Sequence, residues 1–268
     1  MKLFYRSYGS GTPLIILHGL YGSSDNWVSV AHKLKDECMV ILPDMRNHGH
    51  SPWADTHSYE DMSHDVEELI ESLGLSKVFI AGHSMGGKTA IRFTVDNPEK
   101  VKGLFIGDIS PFPYPANDEI SGQHRNILNT ICSVNPEDFK SRDDLAKHLI
   151  PLVGEKTTNL VLLKNITIEK GVMKWRLNAR VLLANIDSYS EGFSEKYISG
   201  RIFSDLPVIL LKGERSKYVS ESDMEKIQKI FPLTDVRVAE QCGHWIHTDC
   251  PDAVVDALKT LLKSGENK

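Results

Sequence analysis

Ser84 sits in Gly82-His83-Ser84-Met85-Gly86, a G-x-S-x-G pentapeptide with one nucleophile at its centre. Ahead of it, Val78 to Ala81 is a short apolar run that reads as a buried strand. Behind it, Lys88 to Val95 suits a helix. Strand, tight turn and helix make this pentapeptide a nucleophile elbow, with the serine in a strained backbone conformation and its hydroxyl projecting. Side chains at the flanking glycines would collide with the neighbouring strand and helix. The helix N-terminus directs its free N–H groups and positive dipole end at that hydroxyl. A serine hydroxyl attacks a carbonyl only when an imidazole takes its proton, and the imidazole needs a carboxylate to fix its tautomer. His18, His48, His50 and His83 precede the serine or belong to other loops, and a His beside the nucleophile cannot easily turn back onto it. His244, after the last strand expected, is the candidate base, with His247 its nearest rival. Asp108 ends the strand after the elbow helix and is the candidate acid; Glu214 competes with it.

Five stretches carry a family likeness: His18-Gly19-Leu20-Tyr21-Gly22, Asp44-Met45-Arg46-Asn47-His48-Gly49-His50-Ser51, the elbow, Gly107-Asp108-Ile109-Ser110-Pro111 and Gly243-His244-Trp245. Together they resemble the α/β-hydrolase superfamily. Within it the chain is similar to the small cofactor-free esterase and thioesterase group related to the bacterial esterase YbfF. The likeness extends over nearly the whole chain. It implies an α/β fold in which helices flank a mostly parallel central sheet. The core would comprise residues 1–111 and 205–268, with a mainly helical lid, 112–204, inserted after the sixth strand. It also implies that the backbone N–H groups of Leu20 and Met85 form the oxyanion hole, and that His244 is the base. In the commonest superfamily pattern the acid stands three residues after a Gly behind the penultimate strand. Here that place is Ser216, which carries no charge at neutral pH. The YbfF-like group is similar in using the place of Asp108 instead, although Glu214 has the longer reach.

The chemistry implied is acyl transfer to water. Ser84 would attack an ester or thioester carbonyl, His244 would protonate the leaving group, and water would clear the acyl-enzyme. Short to medium acyl chains follow from the resemblance, with acyl-coenzyme A among the implied substrates. No metal or organic cofactor is expected. A serine rather than an aspartate nucleophile speaks against dehalogenase or epoxide hydrolase chemistry. Two alternatives share these residues: carbon–carbon bond hydrolysis of a ring-opened diketone, and a ligand-binding receptor with little turnover.

Composition narrows the class further. At 268 residues, 41% hydrophobic and 25% charged, the chain suits one α/β domain with an insertion rather than two equal domains. A net charge of −5 and the lack of a basic patch argue against a nucleic-acid partner. The first residues meet charge and glycine too early for a signal peptide, and no apolar run spans a bilayer, so a cytoplasmic monomer or homodimer is expected. The four cysteines, Cys38, Cys132, Cys242 and Cys250, are scattered and read as reduced thiols. Cys242, His244, His247 and Cys250 do not match the spacing of a common structural zinc site.

Further elements position these groups. Leu3 to Tyr8, Leu14 to Leu17, Cys38 to Leu42, Val101 to Ile106, Val208 to Leu211 and Asp235 to Val238 read as strands. Trp27 to Leu34 is expected as a helix capped by Ser24 or Asp25, and Tyr59 to Leu73 as one ended by Gly74. His18 is expected to brace the loop it belongs to, and Arg46 to pair with Asp44. Pro111, Pro113 and Pro115 mark the exit from the sheet. Beyond them come a helix starting at Ser141, a turn of extended chain from Thr167 to Trp175 and a helix from Asn178 to Asn185. Helices from Ser222 to Ile230 and Pro251 to Leu262 complete the chain.

Overall fold

Leu14 to Leu17 and Val78 to His83 are buried without interruption. Strands covered on both faces need no alternation of apolar and polar residues. In the computed structural model, which describes residues 1–113, 119–193, 195–198 and 200–266, such runs build a seven-stranded sheet. Its strands are β1 (Tyr5–Tyr8), β2 (Pro13–Leu17), β3 (Met39–Pro43), β4 (Val78–His83) and β5 (Val101–Gly107). After a separate hairpin of β6 (Ile166–Glu169) and β7 (Val172–Trp175) come β8 (Val208–Gly213) and β9 (Thr234–Ala239). The order is β1-β3-β2-β4-β5-β8-β9, with only β1 antiparallel. Alternate side chains feed two apolar layers. Ile15 and Leu17 pack with Met62 and Phe93, while Leu14 and Ile16 pack with Trp27 and Leu258.

Local chemistry sets the helix ends. Ser58 caps the helix Tyr59–Ser72 by accepting from the Asp61 N–H at 3.0 Å, while the Asp61 carboxylate accepts from the Ser58 N–H at 3.1 Å. Such a reciprocal cap stabilises a helix by about 1 kcal/mol. Gly74 follows at φ 64°, the left-handed turn that stops the helix. At the first helical segment the cap is Ser23, not Ser24 or Asp25. The chain opens there with a single 3-10 turn, Ser24–Trp27, and the Asn26 side chain returns to the Ser23 N–H.

Between β5 and β8 the chain leaves the sheet for the helices Glu119–Ser133, Arg142–Val153 and Ala179–Ala184 and the β6–β7 hairpin. Lys170 and Gly171, both at positive φ, make the tight turn of that hairpin. Leu128, Leu145, Leu149, Leu162 and Leu182 give the segment an apolar cluster of its own. It follows the fifth strand, not the sixth, because a single edge strand precedes β2. Pro115, one of the three exit prolines, lies outside the described residues.

Two other expectations are corrected. Arg46 does not pair with Asp44: its guanidinium grips Asp65 through Nε at 2.6 Å and a second nitrogen at 2.9 Å, and Asp61 lies 3.1 Å away. Asp44 instead accepts the backbone N–H groups of Ser24 and His50. Cys242 and Cys250 are not free thiols but a disulfide, because the short helix Ile246–Asp249 folds the chain back until their Cα atoms are 6.1 Å apart. Cys38 and Cys132 are the free ones.

Candidate active site

Ser84 leaves β4 with φ 55° and ψ −122° and becomes the N-cap of the helix Met85–Asp96. Few L-residues occupy this backbone region, and the surroundings hold it there. The Ser84 N–H donates to the Gly107 carbonyl at 3.1 Å, and the Lys88 N–H donates to the Ser84 carbonyl at 3.0 Å. A Cβ on Gly82 would run into the Gly86 carbonyl, and one on Gly86 into the carbonyls of Leu17 and His18. Both glycines are therefore requirements of the turn rather than composition.

Asp108 follows β5 at φ 47° and is fully buried. Its Oδ1 accepts the Gly213 N–H at 2.9 Å, and its Oδ2 accepts the Ser216 hydroxyl. That same Oδ2 lies 2.7 Å from His244 Nδ1. An ionised carboxylate only accepts, so His244 holds its proton on Nδ1 and keeps the Nε2 lone pair available. Burial pushes the Asp108 carboxyl up, opposed by the Ser216 and Gly213 donors. Burial pushes His244 down, to about 3, so the ring is neutral at neutral pH. The histidine and Ser84 line one cavity of about 310 Å³. Glu214 is exposed and spends its carboxylate on the Gln241 N–H at 2.7 Å.

Two residues that sequence reasoning passed over support His244. The His83 Nε2–H donates to the His244 carbonyl at 2.7 Å, and the two rings lie 4.7 Å apart. His83 cannot turn onto the serine beside it, but it reaches the backbone of the other loop. Tyr218 stacks on the His244 ring at 3.5 Å and 11°. No spacing rule pointed to Tyr218; its nearness to Ser216 was the available signal.

The loop that follows β2 is held from several sides. The Gly19 carbonyl accepts from the Gly22 N–H at 2.9 Å and from His18 Nδ1 at 2.8 Å. That carbonyl and the Leu20 N–H belong to one trans peptide and point in opposite directions. Anchoring the oxygen therefore turns the Leu20 N–H the other way. His18 Nε2 accepts the Met45 N–H at 2.9 Å, which leaves Nδ1 as the donor. Tyr21, at φ 66°, donates its N–H to His48 Nε2 at 3.3 Å and accepts Asn165 Nδ2 on its carbonyl at 2.7 Å. Burial lowers His18 and takes His48 to about 3, so both rings stay neutral, as one-donor, one-acceptor braces must. Met85, the other expected donor, begins the elbow helix.

A family model described as the alpha/beta hydrolase fold matches residues 12–125. A putative esterase/lipase of Haemophilus influenzae is 32% identical over 249 residues, 93% of this chain and 82% of that protein. The chain belongs to the α/β-hydrolase family. The esterase YbfF of Escherichia coli is 30% identical over 253 residues, 94% of each chain. A solved marine microorganism esterase superposes on this hydrolase with a TM-score of 0.91, at 39% identity over 97% of this chain and 99% of its own. These relatives make it a hydrolase of the esterase type. Among its described residues no helix is long and apolar enough to cross a membrane.

Proposed function

We propose that this α/β hydrolase is a serine esterase that cleaves carboxylic esters or thioesters of short to medium acyl chains through an acyl-enzyme. Ser84 attacks the carbonyl while His244 Nε2 takes its proton. Asp108 holds the imidazole in that tautomer and stabilises the imidazolium that forms. The Leu20 and Met85 N–H groups receive the developing oxyanion, a contribution of about 10² to 10³ in rate per donor. His244 then protonates the leaving group and activates water against the acyl-enzyme. One observation carries this reading: the 2.7 Å contact from the buried Asp108 to an imidazole that shares a cavity with the strained serine.

Residues 112–204 serve as the lid over the 1–111 and 205–268 core. Support comes from Gln123, Ile127, Lys156 and Leu160, which belong to this segment and line the cavity holding Ser84 and His244. Acyl-coenzyme A is among the substrates to be tried, and the protein is expected in the cytoplasm as a monomer or homodimer. Hydrolysis of aryl acetate to decanoate esters by wild type, Ser84→Ala and Glu214→Gln tests the reading. Near-complete loss is expected for the first variant and near-wild-type rates for the second. Full activity of Ser84→Ala would refute it.

A further inference from the structure

Two hollows of unequal size meet at Ser84. The larger, about 310 Å³, contains His244 in its wall. The smaller, about 40 Å³, contains Met85 and Ile186, and His244 is not part of it. On the serine mechanism proposed above, the tetrahedral carbon formed on Ser84 carries three further groups. Its oxyanion faces the Leu20 and Met85 N–H groups, and its leaving group must sit beside the imidazole that protonates it. The larger hollow therefore receives the alcohol or thiol, and the acyl chain turns into the smaller one. At roughly 10 to 15 Å³ of such volume per water molecule, the smaller hollow takes only a few heavy atoms beyond the carbonyl.

Ser84, Leu20, His124 and Tyr218 line both hollows, so Leu20, His124 and Tyr218 form a partition that meets the nucleophile. Each of the three is held. Leu20 belongs to the braced loop after β2, and Tyr218 stacks on the His244 ring at 3.5 Å. His124 comes from the helix Glu119–Ser133 of the inserted segment. Its Nε2 lies 3.3 Å from the Tyr218 hydroxyl and its Nδ1 3.1 Å from the Tyr21 hydroxyl. The far wall of the small hollow is packed as well. Met85, Ile109 and Ile186 are buried, and Lys88 turns its ammonium to the Tyr189 carbonyl at 2.9 Å. Walls packed this closely yield to extra atoms only at a cost. While the partition stands, an acyl chain longer than the hollow has no room to continue.

We infer that the small hollow is the acyl subsite and that His124 and Tyr218 wall it off, so that esters joining two- to four-carbon acids to larger alcohols are the preferred substrates. This inference rests on the serine esterase reading and narrows it. One methylene too many in a closed apolar pocket changes kcat/KM by about 10- to 200-fold. A hexanoyl chain is two carbons beyond the limit. No such limit acts on the alcohol, whose hollow is several times larger.

The test compares two isomers, hexyl acetate and ethyl hexanoate, which contain the same atoms and exchange only the lengths of the acyl and alcohol chains. Acid release is followed in a pH-stat. In the wild type, kcat/KM for hexyl acetate should exceed that for ethyl hexanoate at least tenfold. His124→Ala opens the partition and should reduce that ratio at least fivefold. Any weakening of His244 through Tyr218 slows both esters and cancels in the ratio. Because His124→Ala can fail to fold, Ile186→Val, which trims one carbon from the wall of the small hollow, is measured in parallel and should reduce the ratio at least twofold. A smaller wild-type ratio, or a ratio that either folded variant leaves unchanged, would overturn the inference. Loss of the esterase reading would look different: neither isomer would be cleaved, or Ser84→Ala would cleave both as fast as the wild type.

Discussion

Replacing Asp108 by Asn perturbs the site in a way that its hydrogen bonds define in advance. Asp108 Oδ1 faces the Gly213 N–H at 2.9 Å, a donor that cannot turn away because it belongs to the backbone of β8. An Asn keeps its one carbonyl oxygen at that place. Its NH2 group then falls where Oδ2 was, against His244 Nδ1 at 2.7 Å and the Ser216 hydroxyl. The serine hydroxyl can rotate to accept, but the imidazole must offer a lone pair on Nδ1. That moves its proton to Nε2, the nitrogen that should take the proton of Ser84. The wrong tautomer, together with loss of the charge that stabilises the imidazolium, lowers kcat by about 10⁴ in a comparable serine–histidine–aspartate site. A similar loss here corresponds to about 5 kcal/mol of transition-state stabilisation. Asp108 and Asn have nearly the same volume, so the fully buried site should stay packed and the thermal melt should change little. Steady-state hydrolysis of an aryl butyrate reads the effect. More than a tenth of wild-type kcat/KM left in Asp108→Asn, with its melt intact, would refute the tautomer reasoning. Restoring a carboxylate from the neighbouring strand end, in Asp108→Asn/Ser216→Asp, should recover part of the rate, because the Ser216 hydroxyl already touches the Asp108 carboxylate.

Four further outcomes are expected. On the proposed mechanism His244 must be neutral to act as base, and its depressed pKa moves the acid limb of kcat/KM well below 6.5, so activity should persist from pH 8 down to pH 5; a half-point at 6.5 or above would contradict this. His18→Ala frees the Gly19 carbonyl from one of its two donors and should lower kcat by about tenfold or more with little change in KM, the signature of a weakened oxyanion donor rather than of lost substrate binding. Cys242→Ser/Cys250→Ser opens a loop of eight-residue separation, worth about 2.5 kcal/mol on the chain-entropy model, and should lower Tm by about 5 to 10 °C in a calorimeter. Gly86→Ala drives a methyl into the Leu17 and His18 carbonyls and should abolish either soluble expression or fluorophosphonate labelling of Ser84, so a folded variant that labels normally would refute the close packing of the elbow.

Much of the fold was legible because the signals are local. The strand, turn and helix around Ser84 lie within one short stretch, and the glycines there answer to steric limits set by residues a few positions away. The Gly74 stop and the Gly171 turn depend on backbone preferences that operate over a single turn of chain, whereas the Ser58 cap was not read from the sequence. The uninterrupted apolar runs also point to a sheet covered on both faces. The partners of polar groups were less legible. Nothing near Arg46 in the chain says that its guanidinium belongs to Asp65, since that pairing depends on where the helix Tyr59–Ser72 crosses the loop after β3.

What the sequence by itself determined is the kind of chemistry available: a serine on an elbow, with His244 and two carboxylates as candidate partners. Only the tertiary structure decided the geometry among them. The order β4-β5-β8-β9 lays the ends of four strands side by side, and Asp108 meets both Gly213 and His244 there, whereas Glu214 turns outward to Gln241. Strand order likewise lets His83 reach the His244 carbonyl, and the backward fold of the chain joins Cys242 to Cys250. The reason is physical. Backbone torsions answer to adjacent residues, but the position of a buried carboxylate is set by which strands become neighbours, a collective outcome of packing both faces of the sheet at once.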